Sequence, residues 1–407
     1  MKSLRQYTMI LAVAVGALVA PAAGQISNIH TTFSGDPASE VTVSWRTPPF
    51  GSASLEYGLT PALGTTATAS SFLSSGGYQY HATLTGLEAD RTYYYQATGG
   101  PVCSFKTAPA DNQHFRFAVI GDVQGRTISQ KWIDASEYLA QQDLLFWMPL
   151  GDLVQEGVDQ SQYDAFWAGC TTLSQSVPIM PIIGNHDRYD LDWNSVKPQN
   201  YLDQFKLPSN GNPDYEGVWY EFGVGDMHFT ALDSYPPGGP LTELEARAVE
   251  AQWMDDHMAA SDAKWEFVSI HPPFYSTGGH GGENLASDLS SIFEAHGANA
   301  VFTGHVHSFE VTYPIHDGAL ADGWDEGTLY YNSAGIGNAA VPGDWFSEFW
   351  QTEDNIPLVG IVDVFPDRVV VTTYNYEDGS IFHQVTIPEP ATMALLGLGT
   401  IALLRRR

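Results

Sequence analysis

The stretch FAVIGDVQGR, residues 117–126, runs from four apolar residues into Gly121 and Asp122, with Gln124 two places on. By itself, a strand that stops on Gly-Asp is an ordinary turn. Five further apolar runs follow, LLFWMPLGD (144–152), VPIMPIIGN (177–185), MHFTALD (227–233), WEFVSIH (265–271) and NAVFTGH (299–305), separated by helix-like segments. This alternation predicts an α/β fold. Most of the runs stop on a polar cluster: Gly121-Asp122, Gly151-Asp152, Gly184-Asn185-His186-Asp187, His271 and Gly304-His305-Val306-His307. The carboxyl ends of strands are where α/β sheets assemble their sites, so five such clusters in order point to one. Downstream, TLYYNSAG, LVGIVDVF, RVVVTTYN and IFHQVTI come without intervening helices and predict a second sheet layer. Thr242 and Glu245 form a capping box, and Leu244, Ala248, Ala251, Met254 and Met258 recur at helical spacing as the expected buried face of that helix. There is no internal repeat.

Upstream, EVTVSWRT, SLEYG, YHATLTGL and TYYYQAT are short alternating strands at turn-separated intervals. They predict an all-β sandwich over residues 25–109, similar to a fibronectin type III module, with Trp45, Tyr93 and Tyr95 inside. A short linker leads to the α/β domain, 114–387. Residues 1–24 place Lys2 and Arg5 before the run MILAVAVGALVA and the small residues PAAG, the layout of a secretory signal peptide. At the other end, IPEPATMALLGLGTIALLRRR sets Pro388, Glu389 and Pro390 before a short apolar run and three arginines. Segment 388–407 resembles the PEP-CTERM sorting tail. The resemblance implies an exosortase-type sorting enzyme as partner, a Gram-negative source, and export to the envelope or beyond, with membrane contact only through the tail.

Seventeen Lys and Arg stand against 47 Asp and Glu, a formal charge of −30. Such a chain repels nucleic acid and anionic membranes at long range, so no nucleic-acid partner is expected. An anionic substrate then needs local positive charge, and the strand-end residues can supply it by holding metal. An aspartate can bridge two ions while imidazoles and a neutral amide complete each shell, and oxygen and nitrogen donors without thiolate suit Mn, Fe or Zn. Two ions about 3.5 to 4 Å apart polarise a phosphoryl group and generate a hydroxide nucleophile. Cys103 and Cys170 are expected either to pair or to be two separate buried thiols.

Asp122, GDLV, GNHD, HPPFYS and GHVH match in order and character the calcineurin-like metallophosphoesterase superfamily, and with the sandwich in front the chain resembles the purple acid phosphatases over residues 26–387. The resemblance implies a four-layer sandwich of two sheets flanked by helices, two divalent ions, and hydrolysis of a small phosphorylated substrate by metal-hydroxide attack. It implies that Asp122 and His307 hold the first ion, that Asp152 bridges, and that Asn185, His271 and His305 hold the second. His186 would protonate the leaving group, Asp187 would orient His186, and His280 would face substrate. Arg126 and Arg188 are expected to be exposed rather than phosphate contacts. Asp233 has no evident partner. His30, His81, His114, His228, His257, His296, His316 and His383 lie outside any motif and are expected to be structural.

Two departures from the family pattern concern glutamines. Purple acid phosphatases carry an iron-binding tyrosine three places after the bridging aspartate; here that residue is Gln155, so no ferric-tyrosinate site is expected. Many metallophosphoesterases have Asp-x-His where this chain has Asp122-Val123-Gln124. Either Gln124 or Gln155 can supply the missing ligand, and Gln124 is favoured because residues two apart in an extended turn project to one side. The Asp-x-Gln pattern also opens a phosphodiesterase or nucleotide diphosphatase reading. A non-catalytic envelope or biofilm-matrix protein is the rival from outside enzymology.

Overall fold

The computed structural model describes residues 26–48, 53–234, 241–276, 287–333, 347–349 and 357–389. The expected leader, the sorting tail from Pro390 onward and His280 lie outside them.

Residues 27–106 form two four-stranded antiparallel sheets, one led by Ser27–Thr32 and Val41–Thr47, the other by Ser54–Gly58 and Thr92–Ala97. Alternation sends Trp45 and Tyr95 wholly inside, where Trp45 stacks on Tyr80 at 5.2 Å and Tyr93 stacks on Phe105 at 5.9 Å.

Two larger sheets face each other in the rest of the chain. In the first, Phe115–Ile120 pairs in parallel with Phe146–Pro149 and antiparallel with Leu358–Val364, beyond which lie Arg368–Asn375 and Ile381–Pro388. In the second, Met227–Ala231, Trp265–Ser269, Ala300–Thr303 and Leu329–Asn332 run parallel, with antiparallel strands at both edges. The segment 177–183 touches the first sheet only through bridges at Ile179 and Ile182, because Pro178 and Pro181 lack the N–H groups a regular ladder needs.

Aromatic rings fill the space between the sheets. Phe117 stacks on Phe146 at 4.8 Å and meets Phe229, Phe267 and Phe302 at 5.9 to 6.2 Å. The period of two turns the neighbouring side chains outward: Trp147 meets Trp132 and Phe166 of the helices Gln130–Ala140 and Gln160–Gly169. On the far side, Val268 and Ile270 pack with Met254 and Met258 of the helix Glu243–Ala260. The order is therefore helix, sheet, sheet, helix.

The capping box of Glu243–Ala260 is present, but its buried residues are Ala246, Glu250, Met254 and Met258, while Leu244 is 80% exposed. A charged residue inside that stripe displaced the apparent apolar face in the sequence.

The sandwich docks on the first domain layer through its leading strand. Ile179 N donates to Thr31 O at 2.8 Å, Thr32 Oγ1 to Lys206 O at 2.7 Å, and the buried His30 ring stacks on Trp167 at 4.1 Å. Cys103 and Cys170 are free thiols, Cys170 fully buried.

Candidate metal centre

Four residues of the strand-end clusters, Asp122, Asp152, His305 and His307, have left-handed φ values between 47° and 72°. Non-glycine residues rarely hold that conformation, and it concentrates at sites whose surroundings impose it. The glycines beside them allow the close approach. A Cβ on Gly151, itself at φ +95°, would stand 2.3 Å from His271 Nδ1, and one on Gly184 would stand 2.1 Å from Asp152 Oδ1.

The turns aim their donors at one point. Donor atoms of Asp152, His271 and His305 lie within 4.8 Å of one another. His271 donates from Nδ1 to Leu150 O at 2.6 Å, which fixes the tautomer and leaves Nε2 3.1 Å from Asp152 Oδ2 and 4.0 Å from Asp122 Oδ1. That Nε2 is buried and lacks an aligned hydrogen bond. Asn185 Nδ2 donates to the Tyr189 hydroxyl at 3.3 Å, which leaves Oδ1 3.1 Å from His305 Nδ1. These atoms form one donor set.

A second set adjoins it. Asp122 is held by the His305 backbone N–H, at 3.0 and 2.8 Å to its two oxygens, and its Oδ1 lies 3.4 Å from His307 Nε2. The Gln124 amide nitrogen is 3.3 Å from the same Nε2, and Gln124 Oε1 is buried without a hydrogen-bond partner. Two buried polar atoms lack a hydrogen-bond partner, His271 Nε2, which faces the carboxylates of Asp152 and Asp122, and Gln124 Oε1, on the side chain whose amide nitrogen meets His307. That donor chemistry fits a pair of divalent cations.

Electrostatics agree. Burial raises the Asp152 carboxyl, but His271 outweighs it and holds Asp152 down to about 2. Burial lowers His271, while Asp152 more than reverses that and lifts it to about 9. Protons and metal compete for such a pair.

Family comparisons point the same way. The purple acid phosphatase N-terminal domain matches residues 26–110, the calcineurin-like phosphoesterase domain residues 115–309, and the PEP-CTERM protein-sorting motif residues 386–407. The chain thus carries a calcineurin-like phosphoesterase domain behind a purple acid phosphatase N-terminal domain. Purple acid phosphatase 18 of Arabidopsis thaliana is 27% identical over 305 residues, which cover 71% of this chain and 67% of that one. The Fe(3+)-Zn(2+) purple acid phosphatase 12 of the same plant is 24% identical over 78% of this chain and 73% of its own. The structure of purple acid phosphatase PPD1 from yellow lupin superposes with a TM-score of 0.76 over 90% of this chain and 74% of that chain at 18% identity, a shared fold. Calcineurin-like phosphoesterases of this kind are hydrolases, and the sorting motif marks the chain as exported and envelope-associated.

Around this candidate centre the other expected residues fall differently. The His186 backbone N–H donates to Asp152 Oδ1 at 2.8 Å, and its Nδ1 donates to Gln155 O at 2.9 Å, so Nε2 is left toward the site, 4.0 Å from Asp152 Oδ2. The Gln155 side-chain amide is 3.0 Å from His186 Nδ1, on the side of the ring away from that Nε2. Asp187 does not orient the His186 ring. Its fully buried carboxylate accepts from Gly184 N at 2.9 Å and Leu153 N at 3.1 Å, which ties two ligand-bearing turns together, and burial lifts it to about 7.

Arg188 is not exposed: at 1% accessibility it forms an ion pair with Asp233, whose backbone N–H donates to the buried Glu250 at 2.6 Å. This corrects the expectations for both Arg188 and Asp233. Arg126 is exposed as expected and pairs with the buried Glu156, which also receives Gln162 Nε2 at 2.6 Å. Glu156, Glu250 and Tyr189 went unnoticed in the sequence; only adjacency to GDLV and GNHD marked the first and last, and nothing marked Glu250.

Proposed function

We propose that the folded part of this chain, a sandwich at 25–109 and a catalytic domain at 114–387, hydrolyses small phosphate monoesters with two divalent ions. Asp122, Gln124 and His307 would hold one ion, Asn185, His271 and His305 the other, and Asp152 would bridge them. When bound, the ions polarise the phosphoryl group and activate a water. The convergence of Asp152, His271 and His305 with an orphaned His271 Nε2 carries this reading.

The chain's own groups supply the rest. Gln155 O holds the Nδ1–H of His186, so the protonated ring carries its second N–H at Nε2, facing the site, from where that proton can pass to a departing oxygen. Asp187 keeps the turns of Asp152 and Asn185 in register. Mn, Fe or Zn in the divalent state suits the donors. The Fe(3+)-Zn(2+) pairing of the Arabidopsis relative does not transfer directly, because Gln155 stands in the tyrosine's place. Substrate, exosortase-type processing and a Gram-negative envelope location complete the proposal.

The test is p-nitrophenyl phosphate turnover by the purified mature chain across a panel of Mn, Fe and Zn, beside Asp152→Ala. Metal-dependent turnover that Asp152→Ala reduces to background supports it. Equal turnover by the variant, or none with any metal, overturns it. Purification without a visible tyrosinate-to-iron band is expected.

A further inference from the structure

Immediately after the GNHD segment the chain makes a small, tightly braced loop, residues 189–195. Asp190 Oδ1 accepts the backbone N–H groups of Asp192 and Asn194, each at 2.9 Å, and Asn194 Nδ2 returns to Asp190 Oδ2 at 3.0 Å. Asp190 N donates to Asn194 O at 3.0 Å, Tyr189 bridges Ser195, and Val196 N closes on Arg188 O at 2.8 Å. At its tip Trp193 adopts a left-handed backbone, φ 64°, and is 51% exposed. A bulky residue at that φ is a conformational outlier, and half of a large apolar ring is left in water.

The ring is not loose on the surface. Its centroid is 5.3 Å from that of His186 at 80°, and the Tyr189 ring is 5.2 Å from His186 at 75°. Tyr189 and Trp193 lie 5.6 Å apart. Two aromatic side chains thus stand edge-to-face against the imidazole whose Nε2 faces Asp152, with Trp193 presenting open surface. The loop keeps that surface in place, so a ligand would meet it without first ordering it.

We propose that Tyr189 and Trp193 form a platform for a flat aromatic leaving group, so that aryl phosphates are favoured over alkyl phosphates of equal leaving-group acidity. This rests on the phosphohydrolase reading. A proton from His186 goes to the oxygen that leaves, so the group attached to that oxygen must lie beside His186. The surface there is aromatic, and ring-on-ring contact favours a flat partner.

The experiment compares kcat/KM for 2-naphthyl phosphate and for a fluoroalkyl phosphate of matched leaving-group acidity, in the wild type, Trp193→Asn and Trp193→Phe. Asparagine suits the left-handed backbone and removes the ring. The expected result is a drop of about three- to tenfold in the aryl-over-alkyl ratio of kcat/KM in Trp193→Asn, carried by KM for the aryl ester, with Trp193→Phe intermediate. Equal losses on both esters, or none, would overturn the platform. Calorimetric binding of benzylphosphonate against butylphosphonate to the metal-loaded proteins separates the two readings. If turnover is absent but Trp193 still favours the benzyl ligand, the platform stands and the hydrolase falls. No Trp193-dependent preference in binding sinks the platform.

Discussion

His271 and His30 are both fully buried histidines, one at the candidate metal centre and one under the sandwich, and their surroundings oppose each other. His30 has both ring nitrogens on backbone carbonyls, Asn28 O at 2.8 Å and Gln204 O at 3.0 Å, and stacks on Trp167; burial pushes it down to about 4 against those two contacts. His271 has one nitrogen on a carbonyl and the other turned, unaligned, toward two carboxylates that more than offset its burial. Burial therefore does not distinguish a ligand from a structural ring. The unsatisfied nitrogen and the sign of the neighbouring charge do.

Exchanging the two losses is the strongest way to break this contrast. His271→Ala should take phosphatase turnover to background and also cost the metal-free fold about 3–5 kcal/mol, because it leaves Asp152 buried without its partner. His30→Ala should leave turnover per folded molecule nearly intact and cost about 2–4 kcal/mol by opening a cavity against Trp167. Urea denaturation and steady-state kinetics on both variants settle it. Reversed effects on turnover would mean the site has been placed at the wrong histidine.

A second buried ion pair sharpens the same contrast, since Arg188 and Asp233 satisfy each other in the absence of any ion. Arg188→Met should cost about 3–5 kcal/mol of stability by leaving Asp233 buried beside Glu250, which burial and Asp233 already push upward. Added metal should not restore that loss, whereas metal should stabilise the parent. A loss under about 1 kcal/mol would show that the pair is not a structural brace.

The sandwich interface gives a pH signature distinct from that of the site. His81 joins His30 there, with Nε2 on Asp203 O at 3.1 Å and burial holding it at about 4. Between pH 6.5 and 4 the unfolded chain takes up protons that these folded rings refuse, so stability should fall as pH drops through that window and level off below it. The full effect is up to about 3 kcal/mol per ring. In the double variant His30→Gln/His81→Gln, melting temperature against pH should flatten across the same window. An unchanged slope would remove these two rings as its cause.

Much of the architecture was legible because strands that end in chemistry leave a repeated mark. Phe117 and Trp147 sit on apolar runs that stop at Gly-Asp, and the period of two then sends each ring to a different layer. Arg188 and Glu250 were not legible. Each reads as a surface charge, and only the third dimension brings Arg188, Asp233 and Glu250 together from 188, 233 and 250. Asp187 misled for a related reason: adjacency to His186 suggested an acid–base pair, whereas the 3-10 turn His186–Arg188 points its carboxylate back at Gly184 and Leu153. The aromatic loop lay in plain view after GNHD, but half-exposed tryptophans carry no motif.

The two glutamines give the smallest and most discriminating test, because they place one residue type in the two environments contrasted above. Gln155 is like His30: its amide contacts His186 Nδ1 and its backbone carbonyl accepts from that nitrogen, so the residue serves the ring. Gln124 is like His271: its Oε1 is buried without a partner, and its amide nitrogen stands 3.3 Å from His307 Nε2, the nitrogen that faces Asp122. Gln124→Ala should therefore weaken Mn²⁺ binding by about 10- to 100-fold, in the range seen when groups supporting a metal site are lost. Gln155→Ala should leave Mn²⁺ affinity within about threefold and instead lower kcat, since His186 loses a neighbour of its Nδ1. Calorimetric metal titration separates them directly. If Gln155→Ala proves the weaker binder, the second amide is the ligand and His186 must take a different orientation once metal is bound.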